Sequence, residues 1–232
     1  MLIAVAHQKG GSSKTTLAIN LAVELNAQAC YDLDLAKGGT TGLMFLDQLR
    51  QRSGHNSLNV TAVHSKNELV SVIESDSDDR ISILDLGGLD SDINRIAIAY
   101  ADLIVTPASD SALEIGGLTE FARILAEISS QTGVAALAHV VAARTNYARK
   151  QWPSLSAVCE QHENLRFSGA ALPLYVDFSD SLSEGLSVCE FNPSGNAAAH
   201  MRQVVAYIKN ILKSLKSLKN HIKSNITLSS IS

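Results

Sequence analysis

The stretch HQKGGSSKTTLAINLA, residues 7–22, decides how the rest of the chain is read. It follows a short apolar run, LIAVA at 2–6, and leads into a segment that sets Leu17, Leu21 and Leu25 on one helical face. A strand, a glycine turn and a helix in that order make a cradle for an anion. Gly10 and Gly11 let the backbone turn tightly so that N–H groups point inward, and the helix adds the positive end of its dipole. Lys14 then reaches the β- and γ-phosphates of a nucleotide as a point charge, and the Thr15 hydroxyl offers a ligand to Mg²⁺. Two features stand out. A second lysine, Lys9, precedes the glycine pair, and Ser13 stands before Lys14, where phosphate-binding loops usually carry a further glycine.

Outward from this loop, further apolar runs read as strands: AQACYDLD (27–34), LNVTAV (58–63), RISILDLGG (80–88), ADLIVTPASD (101–110), stopped by Pro107, and GVAALAHVVAAR (133–144). Helix candidates lie between them at about 42–52, 66–75, 91–100, 111–130 and 149–162. Apolar strands alternating with amphipathic helices predict a single α/β domain: a mostly parallel, twisted sheet flanked by helices on both faces. Ligands bind such sheets at the carboxyl ends of the strands. Three polar clusters fall on those ends: HQKGGSSKT after the first strand, DLDLAKGGTTG (32–42) after the second and DLGGLD (85–90) after the fourth.

The chain has 232 residues, 46% of them apolar and only 5% aromatic, which suits one Ala/Ile/Leu/Val core. No apolar run is long enough to span a bilayer, and the first residues lack the basic segment and cleavage site of a signal peptide, so a cytoplasmic location is expected. Cys30, Cys159 and Cys189 are odd in number and widely spaced, as expected of reduced, structural thiols. None of the seven histidines stands at metal-ligand spacing. The net charge of −4 conceals an asymmetry: residues 200–232 hold six Lys/Arg and no Asp/Glu, leaving 13 against 23 in the rest, so a body of −10 carries a segment of +6. A basic segment on an acidic body points to a polyanion contact.

KGGSSKTT, residues 9–16, resembles the deviant Walker A motif of the ParA/MinD class of P-loop ATPases, KGGxGK[ST][ST]. DLDLAKGGTTG, ILDLGG (83–88), ADLIVTPASDSALEIGGL (101–118) and LPLYVDFSDSLSEGLSVCEFNPSGNAA (172–198) resemble the ParA branch, so the likeness covers most of residues 1–200. The resemblance implies ATP and Mg²⁺ as cofactors, with Lys9, Gly10, Gly11, Ser12, Ser13, Lys14, Thr15 and Thr16 binding nucleotide. It implies that Lys9 crosses to the nucleotide of a second subunit, so that two ATP molecules are sandwiched in a homodimer. Asp34 would be the switch I carboxylate acting on the attacking water, with Asp32 in support; Lys9, Lys14 and Asp34 form the catalytic set. Asp85 would hold Mg²⁺ through a water, beside Thr15. Three departures from the pattern are evident: Ser13 for glycine, a switch I lacking the usual Pro, Gln and Asn, and Ala143 in place of an adenine-reading Asn, with Asn146 as the nearest stand-in.

Near the C-terminus, HMRQVVAYIKNILKSLKSLKNHIKSN places Val204, Ile208, Ile211, Leu215, Leu218 and Ile222 in one apolar stripe. Lys209, Lys213, Lys216 and Lys223 share another face, which the sequence leaves unpaired. The domain is expected over 1–224, with this helix at about 200–224 and a loose tail at 225–232. The resemblance implies non-specific duplex DNA binding through Lys209, Lys213 and Lys216, extended by Arg144, Arg149 and Lys150. It also implies a ParB-like or other adaptor that stimulates weak hydrolysis, nucleoid association, and movement of a plasmid, chromosome or large assembly. Stable membrane association is not expected. The alternatives are a MinD-like membrane cycler and a nucleotide-dependent interaction switch with little hydrolysis. Iron–sulfur reductase relatives are disfavoured, because they need a cysteine near the dimer axis, in the segments after the Walker-type acids, and no cysteine stands there.

Overall fold

A computed structural model describes residues 1–34, 41–88 and 90–229, with side chains to residue 222. Among these residues seven strands and nine helices follow one another: β1 (Leu2–Val5), α1 (Lys14–Glu24), β2 (Ala29–Asp32), α2 (Gly42–Arg52), β3 (Val60–Ala62), α3 (Lys66–Ser75), β4 (Ser82–Asp85) and α4 (Asp92–Tyr100). They continue as β5 (Leu103–Ala108), α5 (Ala112–Thr132), β6 (Ala138–Thr145), α6 (Pro153–Gln161), β7 (Leu165–Pro173), α7 (Asp177–Ser183), α8 (Val188–Phe191) and α9 (Asn196–Ser229). The strands form one sheet in the order β3-β2-β4-β1-β5-β6-β7. Every pairing is parallel.

Parallel strands buried on both faces need apolar side chains in both directions, which is why β1 is a continuous run. Met1, Ile3 and Val5 pack with Leu17 and Leu21 of α1 and Val204 and Ile208 of α9. Leu2, Ala4 and Ala6 pack on the opposite face with Ala97 of α4, Leu118 and Leu125 of α5, and Leu155 of α6. β1 lies between β4 and β5, where the chain passes from one half of the sheet to the other, so the glycine loop opens at the topological switch point.

Three departures from the sequence reading have physical causes. Pro107 does not stop β5 but pairs with Val141 inside it. The Val105 carbonyl accepts from the Ala6 amide at 3.0 Å, and Pro107, two residues on, faces the same edge, where the β1–β5 pairing has already ended. β7 and the short helices α7 and α8 are additions to the expected elements. β7 is an edge strand, partly exposed and interrupted by Gly169 at φ 71°, so it lacks an unbroken apolar run. Finally, α9 continues to Ser229 through part of the stretch expected to be a loose tail, since neither glycine nor proline follows Gly195. Residues 230–232 lie outside the described residues, as does the switch I stretch 35–40.

Candidate nucleotide-binding site

The helices α3, α4, α5 and α8 are each capped by a serine side chain, from Ser65, Ser91, Ser111 and Ser187, accepting an amide of the first turn. α1, like α2, α6 and α7, lacks such a cap. Ser13, at its N-cap, is left-handed (φ 73°, ψ 24°) and makes no side-chain cap bond. The first amides of α1 therefore keep their donors for an external acceptor, as an anion site requires. Gly11 also has φ 73°, so the loop takes two left-handed steps, only one of them at a glycine.

Neighbouring strands brace the loop. A Cβ on Gly88 would lie 2.8 Å from the Gly10 amide nitrogen, so the turn after β4 presses backbone to backbone against the loop. A Cβ on Gly87 would meet Asp34 Oδ1 at 3.1 Å, which places the Asp34 carboxylate over the same turn. His7 is buried and lies stacked against Phe121, and its Nδ1 accepts from the Lys9 amide at 2.9 Å. Burial holds the imidazole neutral, with its pKa down at about 4. His7 shapes the loop.

Lys14 is buried, its ammonium donating to the Lys9 carbonyl at 3.2 Å. Burial lowers its pKa, while Asp85, Asp34 and Glu114 pull the other way. Asp85 ends β4 almost fully buried, and neither of its carboxylate oxygens has a hydrogen-bond partner among the described residues. Desolvation lifts its pKa to about 7; the nearby Thr15 hydroxyl opposes the shift without forming a well-aligned bond. A buried, unsatisfied carboxylate beside a hydroxyl at the foot of an anion cradle fits a hydrated Mg²⁺ bridging protein and phosphate. Asp32 serves the backbone instead. Its oxygens accept from the Asp34 amide at 3.0 Å and the Leu43 amide at 2.9 Å, tying the end of β2 to the start of α2.

A cleft of about 320 Å³ gathers Gly10, Gly11, Ser13, Lys14, Thr15, Thr16 and Asp34 with Arg144. Ser12 is buried beneath the loop, with its hydroxyl unpartnered among the described residues. Next to the cleft, a pocket of about 480 Å³ runs between Leu17, Ala143, Leu172 to Val176, Phe178 and Leu182. Its walls are apolar and aromatic, as a planar base requires. Asn146 is not among the residues lining this pocket; its Oδ1 accepts from the Ala148 amide at 2.9 Å, so it caps a turn. Lys9 points away from the cleft, its ammonium 2.7 Å from Glu114 Oε1. The sequence reading missed Glu114, since a lone glutamate 105 positions away carries no signal of that contact.

The residues expected to form one DNA patch fall into two groups. Arg144 donates to the Gly11 carbonyl at 2.9 Å, and Arg149 pairs with Asp110 at 3.0 Å, both at the carboxyl end of the sheet; Lys150 follows, exposed, in the same loop. α9 runs the other way. Its His200 meets Ala171 near the end of β7, whereas Lys219 pairs with Asp102 just before β5 begins. Lys209 and Lys213 are exposed near the middle of the helix. Lys216, expected to be unpaired, lies 2.7 Å from Asp79, and Lys219 lies equally close to Asp78. The acids of the loop before β4 thus neutralise part of the lysine face.

Sheet order, glycine loop and open helix N-terminus together define a P-loop NTPase-like fold. Residues 3–228 match the CobQ/CobB/MinD/ParA nucleotide binding domain, and the chain belongs to that family. Among solved structures it resembles MinD with Mg-ADP from Pyrococcus horikoshii OT3 (16% identity, TM-score 0.66, 93% of this chain and 98% of that one). It also resembles an Asp-to-Ala variant of McdA from Cyanothece in its ATP complex (15%, 0.64, 90% and 96%). A ParA family ATPase from Chlorobium tepidum TLS is comparable (15%, 0.60, 92% and 96%). At these identities the likeness is one of fold. Compared by sequence with curated proteins, the chain has no significant match.

Proposed function

We propose that the chain is a ParA-like ATPase that binds Mg-ATP, pairs with a second copy across two nucleotides and holds duplex DNA without sequence preference. Weak, adaptor-stimulated hydrolysis would release it, so that a cargo is segregated or positioned over the nucleoid. The observation that carries the nucleotide part is the pairing of the uncapped α1 N-terminus with buried, unpartnered Asp85. Thr15 and, through water, Asp85 would hold Mg²⁺, which would supply charge neutralisation at the phosphates. Lys14 and the α1 amides hold the phosphate oxygens, and the apolar pocket takes the base. Asp34, at the mouth of the cleft, orients the water that attacks the γ-phosphorus as the bond to the β–γ bridging oxygen breaks, giving ADP and phosphate. Exposed Leu113, Tyr147, Leu174 and Val176 support a second copy as partner, since Leu113 opens α5 and the other three lie in the loops that follow β6 and β7 at this end of the sheet.

The DNA part draws support from Lys209 and Lys213, which remain exposed on α9. Binding by phosphate neutralisation falls steeply with salt, log K changing by about −0.9 per phosphate contacted. The experiment is duplex DNA retardation with and without ATP, for wild type and a Lys209→Glu/Lys213→Glu pair. ATP-dependent binding lost in the pair is expected; unchanged binding by the pair removes α9 from the DNA surface.

A specific feature favours the membrane cycler as second reading. Leu218 and Ile222 continue the apolar stripe of α9 yet are 57% and 49% exposed. An apolar face beside lysines on a terminal helix suits an anionic lipid surface. Co-sedimentation with anionic liposomes, with and without ATP, separates the two. The interaction-switch alternative is tested by comparing ATP turnover of wild type with Ser13→Gly.

A further inference from the structure

We propose that Arg144 is a nucleotide-contacting residue, its guanidinium holding the part of a nucleoside di- or triphosphate between the base and the terminal phosphates. The role presupposes the nucleotide reading above and adds a residue to it.

Three observations converge. Ala143 pairs with Leu172 and Thr145 with Pro173, so Arg144 is the extra residue of a bulge near the end of β6. A bulge re-aims the side chain it carries. The backbone there is left-handed, φ 54°, a conformation that L side chains adopt only at a cost. The redirected guanidinium spans 133 positions of sequence to donate from Nη1 to the Gly11 carbonyl, at the crown of the phosphate loop.

Arg144 also stands where two ligand compartments meet. It lines both the apolar pocket and the phosphate cleft, as do only Ser13 and Thr16 among the described residues. With the base in the pocket and the β- and γ-phosphates by Lys14 and Thr15, the ribose and α-phosphate must pass this wall. Arg144 is the cation on it. A guanidinium has five N–H donors in a planar fork, and the Gly11 carbonyl engages only Nη1, which leaves the others for phosphate or ribose oxygens. Lys9 and Lys14 are placed differently: one pairs with Glu114, the other lies under the loop.

The test compares wild type with Arg144→Gln, which keeps an N–H donor for Gly11 but has no charge, and Arg144→Lys, which restores charge without the fork. Calorimetric titrations use Mg-ATP, ADP and adenosine, with thermal unfolding of each apo protein and Lys14→Ala as a control for phosphate binding. Arg144→Gln is expected to weaken ATP and ADP alike, about tenfold. Adenosine binding and the unfolding midpoint should stay as in wild type, and Arg144→Lys should recover part of the loss. Wild-type affinity for ATP and ADP in Arg144→Gln overturns the assignment. So does a loss shared by adenosine together with a lowered midpoint, which would make Arg144 a brace for the loop. A loss of DNA retardation with nucleotide binding intact likewise overturns it, moving Arg144 to the DNA surface. Absence of ATP binding by wild type overturns the nucleotide reading and this role together, an outcome distinct from the others.

Discussion

Ser13 holds φ at 73°, where the Cβ of an L residue crowds its own backbone. Its hydroxyl does not cap α1, so no local hydrogen bond offsets the strain. Glycine would remove about 1–2 kcal/mol of strain, against about 0.5–1 kcal/mol of extra backbone entropy lost on folding. Ser13→Gly should therefore stabilise the apo protein by about 0.5–1 kcal/mol, raising the unfolding midpoint by about 2 °C. Ser13→Val, β-branched in the same conformation, should lower it. Chemical denaturation of the two variants checks this, and a less stable Ser13→Gly would show that the serine hydroxyl contributes a bond worth more than the strain. Asp85 shows the same logic with charge: its carboxyl group is buried without a partner, a cost that a cation and a phosphate would offset in the proposed site.

At the scale of the element, α9 is one helix with two environments. Met201, Val204, Ile208 and Leu212 are buried against the sheet and α1, whereas Leu218 and Ile222 continue the same stripe uncovered. A 34-residue helix is about 50 Å long at 1.5 Å per residue. Five residues of β5, β6 and β7, Leu103, Val105, Val141, Ala170 and Leu172, share the core with its first half. Ile208→Ala should cost about 2–4 kcal/mol through lost contacts and a cavity. Ile222→Ala should stay within about 0.5 kcal/mol of wild type, as exposed substitutions do. Equal losses at the two positions, measured by urea unfolding, would mean that the second half is packed as tightly as the first.

For the whole molecule, the question is how a folded protomer becomes half of a sandwich. Lys9 is held in its own chain by Glu114, on the first turn of α5, and in the proposed sandwich would have to leave that carboxylate to reach a second subunit. The lysine side chain is 43% exposed, so the pair is partly screened and worth under about 1 kcal/mol. Both protomers break this pair on dimerising, so Glu114→Gln should ease ATP-dependent pairing by no more than about thirtyfold in dimer dissociation constant. Light scattering across a concentration series, in an Asp34→Ala background that blocks hydrolysis, reads this. Weaker pairing would show instead that Glu114 aims Lys9 across the interface. In the proposed cycle nucleotide and second copy would sit at the carboxyl end of the sheet, whereas Lys216 and Lys219 of α9 lie at the other.

The glycine loop, its two lysines and the alternation of apolar runs with helical periods determined the fold class, the position of the candidate site and the approximate bounds of α2 to α6. These follow from local backbone chemistry and short-range spacing, which neighbouring residues express on their own. β7 was hidden because an edge strand needs no unbroken apolar run. Only the tertiary structure decided which distant residues meet: Glu114 with Lys9, Arg144 with Gly11, and Lys216 and Lys219 with the acids before β4 and β5. It also separated Arg144, Arg149 and Lys150 from the α9 lysines, although all are basic. Charge is a property of composition, but the surface to which a charge belongs depends on which way each strand and helix runs through the folded chain.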